Sequence, residues 1–225
     1  SKDVTRVGIE VYGGPILHTW LDRELSISGK VLVKTAKGVS MKLLDLQKPV
    51  AIIPNAAIHL NRDINSGFEY NKQNHLQAIL CVREKSSNPL RTYIAKHLKV
   101  SEIDILAEEL YLYDPAPAAL VGLDQEIITC GRLDNLAMTH SILTALINSE
   151  KSEHTAMAVF FDHEEIGSQT PQGAFSSLLG EILERVVLSQ TVSKEDYYIA
   201  LRNSMLVSAD MAHAYNSPSC RNPIG

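Results

Sequence analysis

The chain has 225 residues, enough for one large domain or two modest ones, with 45% hydrophobic and 21% charged residues, the balance of an ordinary soluble globular protein. A formal net charge of -5 argues against bulk attraction to nucleic acid or acidic membranes. Three cysteines, Cys81, Cys130 and Cys220, form no CxxC motif and no readable disulfide framework, which fits a reducing, cytoplasmic setting. No apolar run approaches the roughly 18 residues of a membrane span. The N-terminus carries no signal-peptide pattern and lacks an initiator Met, so the chain reads as processed, trimmed or a fragment.

The first half reads as β-rich. Residues 7–12 alternate and Gly13-Gly14-Pro15 ends them. Residues 25–33 alternate again, with Gly29 as a candidate bulge. Thr35-Ala36-Lys37-Gly38 reads as a hairpin turn into a strand over 39–44. A short strand over 50–53 stops at Pro54-Asn55. Residues 61–75, rich in Asn and Gly, read as an exposed loop. Residues 89–107 read as one or two helices, and residues 110–113 as a strand.

Pro115-Ala116-Pro117 marks the internal boundary. Beyond it the pattern becomes strand, helix, strand, helix, strand. The strands fall at 126–130, 155–161 and 205–209. The helices fall at about 135–148, 172–190 and 193–203. Such alternation predicts an α/β parallel sheet covered on both faces.

Three acidic motifs follow the predicted strands: Asp134 in Gly131-Arg132-Leu133-Asp134-Asn135, Glu164-Glu165 after Asp162-His163, and Asp210 after Ser208-Ala209. Ligands of open parallel sheets bind beyond the carboxyl ends of the strands. That rule places the three motifs along one rim. Taken singly, Asp134 reads as a helix cap, the paired glutamates as first-turn charges and Asp210 as another cap. Taken together, they read as oxygen ligands for a pair of divalent ions, with one of the two adjacent glutamates free to accept a proton. His59, in Ala56-Ala57-Ile58-His59-Leu60, reads on its own as a structural residue, and His140 as core. His213 lies three residues past Asp210. Gly-x-Ser-x-Gly and Walker patterns are absent.

Five motifs in order then carry a resemblance. They are Val11-Tyr12-Gly13-Gly14 with Trp20-Leu21-Asp22-Arg23-Glu24-Leu25; Ile53-Pro54-Asn55 with Ile58-His59-Leu60-Asn61-Arg62; Arg132-Leu133-Asp134-Asn135; His163-Glu164-Glu165-Ile166-Gly167-Ser168; and Ser208-Ala209-Asp210-Met211-Ala212-His213. Together they resemble the aspartyl aminopeptidase family, dinuclear zinc aminopeptidases of the aminopeptidase I type.

The resemblance implies a three-layer parallel-sheet catalytic domain interrupted by a β-rich dimerisation domain. Residues 1–8 would begin the catalytic domain, 9–117 form the dimerisation domain, and 118–225 continue the catalytic domain. It implies two zinc ions, with manganese or cobalt as alternatives. Asp134 would bridge them, Glu165 and Asp210 would bind one each, and Glu164 would be the general base. His213 would contact substrate, and His59 would reach into a partner subunit's site. The implied substrates are peptides with N-terminal Asp or Glu. The implied assembly is a homo-oligomer of dimers, typically a dodecamer, with no nucleic-acid or membrane partner. The family's first and last metal-binding histidines lie beyond the matched segments, so the chain reads as the middle half of a longer enzyme. The competing expectation is a non-catalytic assembly subunit lacking a complete metal site.

Overall fold

The computed structural model describes residues 3–83, 88–190 and 193–212. The chain is an α/β protein that divides into two compact units, Ser1–Ala118 and Ala119–Gly225.

The first unit is built on antiparallel ladders. Strands β1 (Asp3–Gly8), β2 (Glu24–Thr35), β3 (Gly38–Asp45), β4 (Ala51–Ile52), β5 (Gln77–Arg83) and β6 (Ile105–Tyr113) form one six-stranded sheet. Its order is β1-β5-β4-β2-β3, with β6 also paired to β2. The β2–β3 hairpin turns as its sequence predicts, with Thr35 opposite Gly38. Gly38 takes the positive φ of 114° that a tight turn requires, and the Thr35 hydroxyl donates to its carbonyl at 2.9 Å.

Gly29 does not mark a bulge. The register shift between β2 and β6 falls at Leu32/Val33. Gly29 is instead the point where β6 passes too near for a side chain, since a Cβ there would lie 2.0 Å from the Glu109 carbonyl oxygen.

Helix α2 (Pro89–Leu98) covers this sheet. Asn88 caps it by accepting the Arg91 N–H at 3.1 Å, and Pro89 occupies the first turn, where its missing N–H costs nothing. Lys99 stops it in a left-handed conformation (φ 55°). Ile94 and Ala95 on its inner face pack with Ile27, Val31, Val33, Leu44, Leu46 and Ile105. A second cluster joins Leu21, Leu25, Ala51, Ile53, Leu76 and Ala78. Ser26 is fully buried, and its hydroxyl has no hydrogen-bond partner among the described residues. Residues 61–75, expected as plain loop, contain a 3₁₀ turn at Arg62–Asn65 and the single-turn helix α1 (Lys72–His75).

The second unit departs from expectation. Among the described residues its strands are β7 (Ala119–Val121) and β8 (Ile127–Thr129), an antiparallel pair rather than members of a parallel sheet. The apolar runs at 155–161 and 205–209 enter no ladder. A doubly buried strand needs hydrogen-bonding neighbours on its edges, and none of the described residues supplies them. Met205, Leu206 and Val207 are consequently exposed.

The helices fare better. α3 spans Leu133–Asn148, α4 Leu178–Leu188 and α5 Lys194–Arg202. The last two are joined by a Lys194–Glu184 ion pair at 2.9 Å, with the Tyr197 hydroxyl donating to the Gly180 carbonyl at 3.4 Å. Among the described residues no helix is long and apolar enough to cross a membrane. Cys81 is half-buried and Cys130 exposed, and Cys220 lies outside the described residues.

Candidate functional site

Each predicted acid stands in a segment with its own local geometry. Asp134 lies at the start of α3, where the backbone is irregular. Arg132 is left-handed (φ 64°), Asp134 (φ -84°, ψ 112°) and Asn135 (φ -110°, ψ 15°) are non-helical, and the Asp134–Asn135 peptide is cis. The helical bonds begin with Leu136 N–H donating to the Arg132 carbonyl at 3.1 Å. The cap position is therefore held by Arg132, which makes no side-chain cap bond, and not by Asp134 or Asn135. Asp134 is exposed. His140, expected in the core, is exposed as well.

Glu164 and Glu165 occupy one 3₁₀ turn, Glu164–Ile166. Left-handed residues bracket it: His163 (φ 61°), Gly167 (φ 94°) and Ser168 (φ 60°). Gly167 N–H donates to the Glu164 carbonyl at 2.8 Å, and Ser168 N–H to the His163 carbonyl at 3.0 Å.

The following segment clasps this turn. The ring Nδ1 of His163 pairs with the Thr170 hydroxyl at 2.6 Å. Phe175 N–H donates to the Ser168 carbonyl at 3.1 Å, and Asp162 N–H to the Gln172 carbonyl at 3.2 Å. Gly173 packs so closely that a Cβ there would meet the Ser168 carbonyl oxygen at 2.1 Å. These bonds explain why α4 begins at Leu178 and not at Gln172: residues 172–175 are already committed to the loop. Ser168 is buried, while both glutamates face solvent.

Asp210 follows the unpaired run 205–209 and is exposed. Its Oδ1 accepts the Met211 N–H at 2.7 Å. His213 lies outside the described residues.

His59, in the first unit, sits in a tight turn. Leu60 and Asn61 both donate N–H to the Ala57 carbonyl, at 2.8 and 3.2 Å, and the imidazole is presented to solvent. Two residues quoted in the sequence motifs without a role, Asp22 and Asn55, are paired at the segment that leads into it. Asn55 gives two N–H bonds to the Asp22 carboxylate, from its backbone at 2.8 Å and its side chain at 2.9 Å. The backbone bond, then the side-chain bond, hold the Asp22 carboxyl below its ordinary range, with burial opposing them.

The donors suit a hard divalent ion, since Asp134, Glu165 and Asp210 all offer carboxylate oxygens. Their arrangement does not. Among the described residues, no three of His, Cys, Asp and Glu come together in a way that could hold a metal. The expected convergence depends on a parallel rim, and the strands that would align it enter no ladder. The described residues therefore do not make a metal centre by themselves. An apolar cavity of about 150 Å³ lies elsewhere, in the first unit, lined by residues including Ile27, Leu80, Cys81 and Tyr93, and it contains none of the predicted site residues.

Comparison with known proteins adds what local geometry lacks. Residues 1–220 match the family model described as aminopeptidase I zinc metalloprotease (M18). A probable M18 family aminopeptidase 2 from Clostridium acetobutylicum is 45% identical over 214 residues, 93% of this chain and 49% of that protein. A cryo-EM structure of the Ape4 and Nbr1 complex contains a chain 35% identical to this one, with a TM-score of 0.83 over 95% of this chain and 45% of the other. A dodecamer of S. cerevisiae mApe1 gives 27% identity and a TM-score of 0.78 over 96% of this chain and 50% of the other. The chain spans about half the length of the curated relatives it matches.

Proposed function

The chain belongs to the aminopeptidase I zinc metalloprotease (M18) family, and on that premise we propose that the full protein is a metalloaminopeptidase removing N-terminal residues, preferentially Asp and Glu, from peptides. The observation that carries the reading is the family match across residues 1–220. All five sequence motifs fall within it.

In this reading Asp134, Glu165 and Asp210 are carboxylate ligands for two zinc ions, completed by side chains from the remainder of a longer protein. That remainder also supplies the neighbouring strands for residues 155–161 and 205–209. Glu164 accepts a proton from the attacking water and returns it to the leaving amine. The clasped 3₁₀ turn supports this division of labour, because it fixes the backbone of both glutamates while leaving their side chains in solvent. His59 and His213 contact substrate, His59 from a partner subunit. The segment 9–117 is the dimerisation domain, the working form is a homo-oligomer built from dimers, with a dodecamer as the expected assembly, and the location is cytoplasmic.

The test is Glu164→Gln in the full gene product, assayed with an N-terminal Asp substrate. Loss of a general base lowers kcat by about 10²–10⁴-fold, while zinc content by elemental analysis stays at the wild-type level. Retained turnover rejects Glu164 as the base. A metal-free, inert oligomer rejects the enzyme reading altogether.

A further inference from the structure

We propose that Asp22 and Asn55 are positioning residues for His59, forming a clamp that fixes where the His59 turn leaves the sheet. The inference rests on the reading of His59 as a substrate-contacting residue.

Three hydrogen bonds make the clamp. Asp22 N–H donates to the Ile53 carbonyl at 2.8 Å. The Asn55 backbone N–H donates to Asp22 Oδ1 at 2.8 Å, and the Asn55 side-chain amide donates to Asp22 Oδ2 at 2.9 Å. Residues 53 and 55 are thus both tied to one side chain and its own backbone. The residue between them is Pro54, whose ring fixes φ. The anchor itself is firm. Leu21 and Ile53 form a β-bridge and are both buried, and Ile52 pairs with Glu24 and Ile79. Asp22 adopts a left-handed backbone (φ 57°), which aims its carboxylate across the strand end. Asp and Asn tolerate that conformation better than most residues.

Beyond Asn55 only residues 56–58 separate the clamp from His59. The turn then closes with Leu60 and Asn61 donating to the Ala57 carbonyl. The imidazole therefore has few free backbone torsions between it and the sheet. A substrate-contacting group on an exposed turn needs such restraint, because a misplacement of about 1 Å can cost on the order of 100-fold in rate. The position is exposed, so burial does not dictate the side chain; the left-handed backbone favours Asp, Asn or Gly, and of these the carboxylate can accept both Asn55 N–H bonds.

The experiment uses the full gene product with three variants: Asn55→Asp, the reciprocal exchange Asp22→Asn with Asn55→Asp, and His59→Ala. Asn55→Asp sets two carboxylates against each other. The exchange restores an amide–carboxylate pair, with the amide at 22 still accepting the backbone N–H of residue 55. Peptidase kcat and KM, amide exchange over residues 53–61 and the thermal midpoint are read for each. Asn55→Asp is expected to lower kcat/KM about tenfold, equivalent to about 1.4 kcal/mol, and to speed amide exchange at 56–61. The exchanged pair is expected to return both to near wild type.

If His59→Ala lowers kcat/KM but Asn55→Asp leaves it unchanged, the clamp proposal is overturned. Failure of the exchanged pair to rescue a folded protein overturns it equally. If His59→Ala itself changes nothing, the reading of His59 falls. Amide exchange then decides the clamp alone, and unaltered exchange at 56–61 in Asn55→Asp rejects it.

Discussion

The two units use apolar residues in similar patterns and reach opposite outcomes. Among the described residues, every buried hydrophobic side chain except Tyr197 belongs to Ser1–Ala118. In the second unit, runs of comparable hydrophobicity stay open: Phe160, Phe175, Met205 and Leu206 are all exposed. The difference follows from where each strand finds its neighbour. Every strand of the first unit pairs antiparallel within that unit. The runs at 155–161 and 205–209 have the composition of parallel strands, which need a row of partners reached by crossover connections. An apolar run states that a segment is to be buried; it does not state what buries it.

The sharpest way to break this contrast is a pair of apolar truncations, one in the core of the first unit and one in an exposed run of the second. Ile94→Ala, at a fully buried position, is expected to cost about 2–5 kcal/mol. Met205→Ala, 88% exposed, should stay within about 0.5 kcal/mol of wild type. Denaturant unfolding measures both, and equal losses would mean that the second unit holds a core of its own. A smaller effect is expected from Gly29→Ala. The new methyl meets the Glu109 carbonyl where β2 pairs with β6, costing about 1–3 kcal/mol and loosening amide protection in β6 before β3.

The smallest effect concerns acid. The Tyr113 hydroxyl donates to Asp45 at 2.5 Å and, with lesser help from Gln47, holds the Asp45 carboxyl below its ordinary value of 3.8. A carboxylate with a depressed folded-state pKa contributes stability above its unfolded pKa and loses it as pH falls through the folded one. Tyr113→Phe should therefore lower stability slightly at neutral pH and flatten its decline below about pH 3.8, so that the variant and wild type converge in acid, as acid titration of the thermal midpoint would reveal.

Legibility in the sequence tracks the same divide. The β2–β3 hairpin is readable because alternation and a Thr-to-Gly turn are both local signals. Helices α3 and α5 are readable because their periodicity is local too. Strand β5 is missed, since Gln77–Arg83 follows an Asn-rich stretch and borrows its register from β1 and β4. Residues 89–107 read as helix but turn into β6 at Ile105, where pairing with Val33 overrides local propensity.

At the candidate site, residue identity is legible and assembly is not. Asp134, Glu164, Glu165 and Asp210 stand out as chemistry, whereas their convergence depends on strands that no local pattern can align. His59 reads as structural on composition alone, and only the resemblance singles it out. The link between Asp22 and Asn55 spans 33 positions and leaves no periodic trace.

The lone hydroxyl at position 26 offers a handle for engineering. Sealing a polar atom away from donors and acceptors wastes roughly 1–3 kcal/mol of solvation, and among the described residues Ser26 bears that penalty near the start of β2. Ser26→Ala should leave the surrounding side chains in place and raise the melting temperature, making it a background on which more disruptive variants of this protein can be tolerated.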